Sequence, residues 1–278
     1  GQVGGAIRLD GLRSFEVPAG DDTNQTGTLS FELWFKADPL NTTWQPIVYK
    51  GNNSGNQRSY SLWLNSSGYL HLSSGNNYNE IVTTANGSVV AGNWYHVSAV
   101  IDRANNVQKL YIDGVEAATG ALRANSAGFA TGNPLLLGAT GESYSPLIGA
   151  IDDFRLWNRA LTAEEIAVAE HRNSPLVGNE PGLLVYLKAD EPGGDTLADA
   201  TGRGNDAQVR HVWRDTPAVV SGEITFGQKD IYRFTLAETK RIYFDSLTDN
   251  SRINWSLTGP RGSVVSARTL QSSDAENG

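Results

Sequence analysis

The chain has 278 residues, 39% of them hydrophobic and 19% charged, a balance that permits a packed core and argues against wholesale disorder. Cysteine is absent, which removes disulfides, thiolate metal sites and cysteine nucleophiles. The formal net charge of -8 argues against non-specific binding to nucleic acid or anionic lipid, and no apolar run approaches the roughly 18 residues of a membrane span.

The first 160 residues read as short strands. Phe31-Glu32-Leu33-Trp34-Phe35 alternates around Phe31, Leu33 and Phe35. Tyr60-Ser61-Leu62-Trp63-Leu64 and Tyr69-Leu70-His71-Leu72 flank Asn65-Ser66-Ser67-Gly68, a hairpin loop with glycine where positive φ is needed. Trp94 to Ile101 is a further strand. Lys109-Leu110-Tyr111-Ile112 meets Asp113-Gly114, a strong hairpin signal, and Val115-Glu116-Ala117 follows. Pro134 to Gly138 and Ala150 to Trp157 complete this set. Strands at roughly ten-residue spacing imply an antiparallel sandwich or barrel. Thr162 and Glu165 form a capping-box pattern that opens one short helix, Ala163 to His171.

This order resembles the laminin-G-like, concanavalin A-like jelly-roll domains of bacterial secreted proteins. The residues that carry the likeness are Gly5-Ala6-Ile7-Arg8-Leu9-Asp10-Gly11 with Phe15-Glu16-Val17-Pro18, then Leu29 to Phe35, Ile47 to Gly51, Trp94-Tyr95-His96-Val97 and Leu110 to Gly114. The run Gly149-Ala150-Ile151-Asp152-Asp153-Phe154-Arg155-Leu156-Trp157 closes it, continuing to Thr162. The family's usual opening strand and loop are missing ahead of Gly4. The same pattern stands after the helix, as Gly182 to Glu191 and Asp199 to Asp206. Residues 182–213 are therefore expected to close the same sandwich, as in a circular permutant, giving a domain over 1–216. The remainder, 217–278, reads as four short strands: Ile224-Thr225-Phe226, Asp230 to Leu236, Arg241 to Phe244 and Asn254 to Leu257. It is similar to the first half of a pre-peptidase C-terminal β-domain, and the natural chain is expected to continue past Gly278. The fold class is all-β: a concanavalin A-like jelly roll with one short helix, plus a partial small β-sandwich.

Signals for catalysis are weak. His71, His96, His171 and His211 show no metal spacing, and no Gly-x-Ser-x-Gly elbow occurs. The jelly-roll glucanases carry Glu, Asp and Glu at alternate positions of one strand, and no strand here does. Asp152 and Asp153 are adjacent, so they face opposite sides of a strand. The resemblance implies a structural calcium, a hard cation that takes 6–8 oxygens. Asp10, Asp152, Asp153 and Asp199 are its candidate ligands, with Asp190, Asn205 and Asp206 nearby in the same stretch. Trp44 in a polar loop, Asn76 and Tyr78 in a second, and Tyr144 in a third are candidate sugar contacts, since aromatic faces stack on pyranose rings. Trp34, Trp63, Trp94 and Trp157 are read as core. The expected function is a non-catalytic carbohydrate-binding or adhesion module of a large extracellular or cell-surface multidomain bacterial protein, with a glycan as partner and no membrane insertion. The alternatives are an accessory domain of a secreted hydrolase, or a spacer without ligand.

Overall fold

A computed structural model describes residues 5–11, 13–38, 40, 43–52, 57–75, 80–124, 126–128, 130–141, 144–191, 195–211, 254–259 and 262–269. The first strands are β1 (Ile7–Asp10), β2 (Arg13–Val17), β3 (Leu29–Ala37), β4 (Trp44–Gly51), β5 (Arg58–Asn65), β6 (Leu70–Ser74) and β7 (Glu80–Thr83). Then come β8 (Trp94–Asp102), β9 (Val107–Ile112), β10 (Val115–Ala121), β11 (Leu135–Leu137) and β12 (Ile148–Trp157), followed by helices α1 (Ala163–Ala167) and α2 (Ala169–Asn173). The last are β13 (Leu183–Leu187), β14 (Thr196–Leu197), β15 (Ala207–His211), β16 (Asn254–Gly259) and β17 (Gly262–Thr269). The chain divides into a unit spanning Gly1–Pro217 and a unit spanning Ala218–Gly278.

In the first unit, two antiparallel sheets face each other. One runs β1-β12-β3-β8-β9-β10, with β13 also paired to β12; the other runs β14-β15-β2-β11-β4-β5-β6-β7. Between them lies one apolar cluster to which both sheets contribute, including Phe31, Leu33 and Phe35 of β3, Leu62 and Leu64 of β5, and Phe154 of β12. Each such side chain contributes about 1.5–3 kcal/mol by leaving water. The Asp113-Gly114 turn takes positive φ at both residues, 51° and 86°, as a two-residue hairpin with matching twist requires.

The segment after the helices supplies strands to both sheets. β13 pairs with β12 from Phe154 to Trp157, and β15 pairs with β2. β1 pairs with the other half of β12, Ile148 to Ile151. One edge of β12 is thus covered by two strands placed end to end. Their junction falls beside Asp152 and Asp153, where the β12–β3 register shifts and Asp153 adopts φ 55°.

The capping box forms: Thr162 Oγ1 accepts from Glu165 N (3.1 Å) and Glu165 Oε2 from Thr162 N (2.8 Å). The single helix expected from Ala163 to His171 is two short ones, because Val168 takes an extended backbone (φ -68°, ψ 122°) between them. Valine's branched Cβ weakens its helix preference. Ile166 of α1 packs with Leu161, Trp157, Tyr111, Val100, Leu183 and Tyr186 on the outer face of the sheet that holds β3.

In the second unit the described residues form one antiparallel hairpin, β16 paired with β17. The other strands expected there lie outside the described residues.

Candidate functional site

Strand alternation places a second group of side chains on the outer face of the sheet that holds β5. Tyr60, Leu62 and Leu64 of β5 join the interior cluster, so Ser61 and Trp63 point away from it; Leu70 and Leu72 of β6 do the same for His71. Trp63, Tyr49 and Leu136 form a separate apolar cluster there, with Trp44 packed against it. Trp44 is half-buried and meets Tyr69 and His71 edge-on, at centroid distances of 5.8 and 5.2 Å. Tyr144, 39% exposed, meets Trp63 edge-on at 5.0 Å. Trp63 is held from several sides. Its Nε1 donates to Ser61 Oγ (2.9 Å), which shares a hydrogen bond with Ser73 Oγ (2.8 Å), and the Arg58 guanidinium lies 4.5 Å over its ring. Burial and the charge of Arg58 push the His71 imidazole down to a pKa of about 4, so it is neutral at physiological pH.

Of the sugar contacts expected from sequence, Trp44 and Tyr144 are thus brought to one face through Trp63 and His71. Asn76 and Tyr78 lie outside the described residues. Trp63, read as core, is buried, but in this outer cluster. Trp34 and Trp157 are buried on the outer face of the opposite sheet, and Trp94 is half-buried. No tryptophan belongs to the interior cluster among the described residues. The signal that marks Trp63 and His71 is their offset by one from the inward leucines.

The candidate metal ligands are not brought together. Asp10 lies opposite Ile148 in the β1–β12 register and accepts from Arg13 N, the role of a turn residue. Asp199 accepts from the backbone N–H groups of Tyr186, Thr201 and Asn205, so it is a loop clasp. Asp153 pairs with Arg155 at 2.5 Å. Asp152 differs from all of these. It is fully buried, and neither carboxylate oxygen has a hydrogen-bond partner among the described residues. Burial, then the charges of Asp153 and Asp190, push its pKa up to about 8. Asp190 stands at the end of β13, where its Oδ1 accepts from Gly5 N (2.6 Å). The β1–β13 junction therefore holds two carboxylates, Asp190, which accepts from Gly5 N, and Asp152, both of whose oxygens are without a partner among the described residues. Among the described residues, no group of three or more histidines or acids is placed to hold a metal ion.

The strongest concentration of charge lies under the helices. Glu32 of β3 is fully buried and bonded to His171 Nε2 (2.9 Å to Oε1), Arg155 Nη1 (3.4 Å) and Ser98 Oγ (3.3 Å). Arg155 also donates to the carbonyls of His171 (2.6 Å) and Ser174 (3.0 Å), and Trp34 Nε1 donates to that of Arg172 (3.0 Å). These bonds tie the helical segment to the sheet. Burial alone would raise the Glu32 pKa; the hydrogen bond from His171 and the charges of His96, His171 and Arg155 bring it down to about 2. Burial pushes His96 down to about 4. His71, His96 and Glu32 all bind fewer protons folded than unfolded. Stability is therefore lost as pH falls, from about 6.5 to 4 through the imidazoles and from about 4.5 to 2 through Glu32. Asp152, with its pKa raised from 3.8 to about 8, binds more protons folded and offsets one imidazole across that range, so Asp152→Asn should steepen the fall in Tm between about pH 6.5 and pH 4, and an unchanged slope would contradict these assignments.

Comparisons with known proteins agree on the fold. Solved structures that match include a candidate carbohydrate binding protein from Bacteroides ovatus, with TM-score 0.55 and 15% identity, covering 74% of this chain. The chain spans 61% of that protein's length. The CBM40 of the Ruminococcus gnavus IT-sialidase, bound to α2,3-sialyllactose, matches with TM-score 0.49 and 18% identity over 59% of this chain and 95% of its own. Domain 4 of AbnA, a GH43 extracellular arabinanase from Geobacillus stearothermophilus, in complex with arabinotriose, matches with TM-score 0.44 and 23% identity over 60% and 77%. At these identities the likeness is one of fold. No curated protein matches the chain. A family model matches residues 11–167, more than half of the sequence, and the chain belongs to the concanavalin A-like lectin/glucanases superfamily.

Proposed function

We propose that this chain is a non-catalytic carbohydrate-binding module, stabilised by calcium, of an extracellular multidomain bacterial protein. The observation that carries the reading is the outer aromatic face, where Trp44 and Tyr144 are accessible and buried Trp63 and Tyr49, with half-buried His71, hold them in place. Preformed aromatic surface beside a few oriented polar groups is the usual composition of a sugar site. The side chains named on this face include no carboxylate, which favours binding over hydrolysis, since glycosidases need two. The description of the Bacteroides ovatus neighbour points the same way. No helix among the described residues is long and apolar enough to cross a membrane. We read calcium at the β1–β13 junction from the orphaned carboxylate of Asp152, with Asp190 as its companion. Residues 217–278 are read as the opening of a pre-peptidase C-terminal-like domain, to which the β16–β17 hairpin would belong.

The test is glycan-array screening followed by calorimetry. Trp44→Ala and Tyr144→Ala should each raise Kd by about tenfold, which corresponds to about 1.4 kcal/mol, with little change in Tm. A double variant that binds like the parent removes this face from recognition. Failure of the parent to bind any glycan favours a spacer.

A further inference from the structure

A cleft of about 360 Å³, lined by none of the residues of the aromatic face, opens between the loop that leads from α2 into β13 and the turn that precedes β15, with Asn158 at its side. Its size falls within the roughly 300–1,000 Å³ of small-molecule sites. Its walls are rigid. Glu180 accepts from Val177 N (2.7 Å) and Gly178 N (2.9 Å), and Leu183 N donates back to its carbonyl (3.0 Å). Arg159 Nε holds the Pro181 carbonyl (3.1 Å). Gly178, at φ 107°, lies so close to the facing turn that a Cβ would stand 2.1 Å from the Ala200 carbonyl oxygen. Arg203 is clamped from behind, Nε and Nη2 donating to Asp22 at 2.9 and 2.6 Å.

Unused hydrogen-bonding capacity remains inside. Each Glu180 oxygen serves one N–H and can accept more, and Arg203 Nη1 has no partner among the described residues. The carboxamides of Asn158 and Asn179 likewise have none among the described residues. A fixed acceptor, a fixed cationic donor and two amides that do both match a ligand whose hydroxyls both donate and accept. Glu180 and Asp22 face Arg203, and the nearby Arg159 is neutralised by Glu165 (2.9 Å), so the local charge disfavours an anion such as phosphate. The cleft also lacks an exposed aromatic wall of the kind that defines the other face.

We infer that this cleft is a second, independent subsite that takes one neutral sugar residue through its hydroxyls. Two sites on one module would raise avidity for a branched or multichain glycan. The inference stands apart from the aromatic face, and the experiment separates the two. Asparagine side-chain amide signals are followed in ¹H–¹⁵N spectra of the whole chain during titration with glucose, galactose and mannose to about 100 mM, the range that millimolar affinity requires. The expected result is a saturable shift of the Asn158 and Asn179 signals by at least one sugar, unchanged in Trp44→Ala/Tyr144→Ala. For Asn158→Ala/Asn179→Ala, two exposed positions, the Kd read from the Arg203 signals should rise at least about tenfold. Shifts confined to the aromatic face, no shift with any of the three sugars, or saturation by inorganic phosphate in their place would each overturn the assignment.

Discussion

Glu32→Ala should cost about 3–5 kcal/mol of stability, the usual result of breaking a buried ion pair from one side. The carboxylate and the guanidinium of Arg155 are both fully buried, so bulk solvent does not screen the loss. After substitution Arg155 keeps Asp153 and two backbone carbonyls, while His171 and Ser98 lose their acceptor. His171 anchors α2, so the helical segment should loosen first, and near-ultraviolet dichroism from Trp157, whose ring lies 6.2 Å from that of His171, should weaken before the sheets melt. Urea unfolding with unchanged m measures the cost. Glu32→Gln keeps an acceptor and should cost less. Glu32→Leu/Arg155→Leu should be no milder than Glu32→Ala, because it strips the guanidinium from Asp153, which is also buried. A cost below about 1 kcal/mol for Glu32→Ala would mean that the helices hold by apolar contact and by the remaining Arg155 and Trp34 hydrogen bonds.

The contrast between the two faces of β3 explains how far the sequence could be read. Phe31, Leu33 and Phe35 announce the interior by alternation, which puts Glu32 and Trp34 on the opposite face of the strand. That face is buried too, because helices that come more than a hundred residues later cover it. Alternation also separates Trp63 from Leu62 and Leu64, but tryptophan's bulk suggests core, and only the folded sheet shows that Tyr49, His71 and Tyr144 gather around it. Strand identities and the Asp113-Gly114 hairpin were legible because they depend on local chemistry. The ligand set was not. Asp10 and Asp152 lie on strands that do pair, but register places them at opposite ends of that pairing, and register is set by contacts that no local pattern encodes. The break at Val168 was equally invisible, since a single valine is tolerated in helices.

Calcium should raise the unfolding free energy of the parent by about 2.7 kcal/mol at a concentration one hundred times its Kd, relative to the protein in chelator. The prediction rests on Asp152, whose two unpartnered oxygens face a junction rather than solvent. There β1, at the start of the described chain, and β13, from beyond the helices, meet on one edge of β12 without a hydrogen bond of their own ladder between them. An ion held by Asp152 and Asp190 would join the two strands, so its removal should speed amide exchange in β1 and β13 more than in β4 and β5. Asp152→Asn should abolish the calcium increment while folding well in chelator, since a neutral amide carries no buried charge. Asp10→Asn should leave the increment intact, because Asp10 lies at the other end of the β1–β12 register. Asp199→Asn should lower stability equally with and without calcium, because it loosens a backbone clasp. An unfolding curve that is the same in calcium and in chelator would leave Asp152 as a buried acid kept neutral by its surroundings, with the Gly5–Asp190 bond and packing holding the junction without an ion.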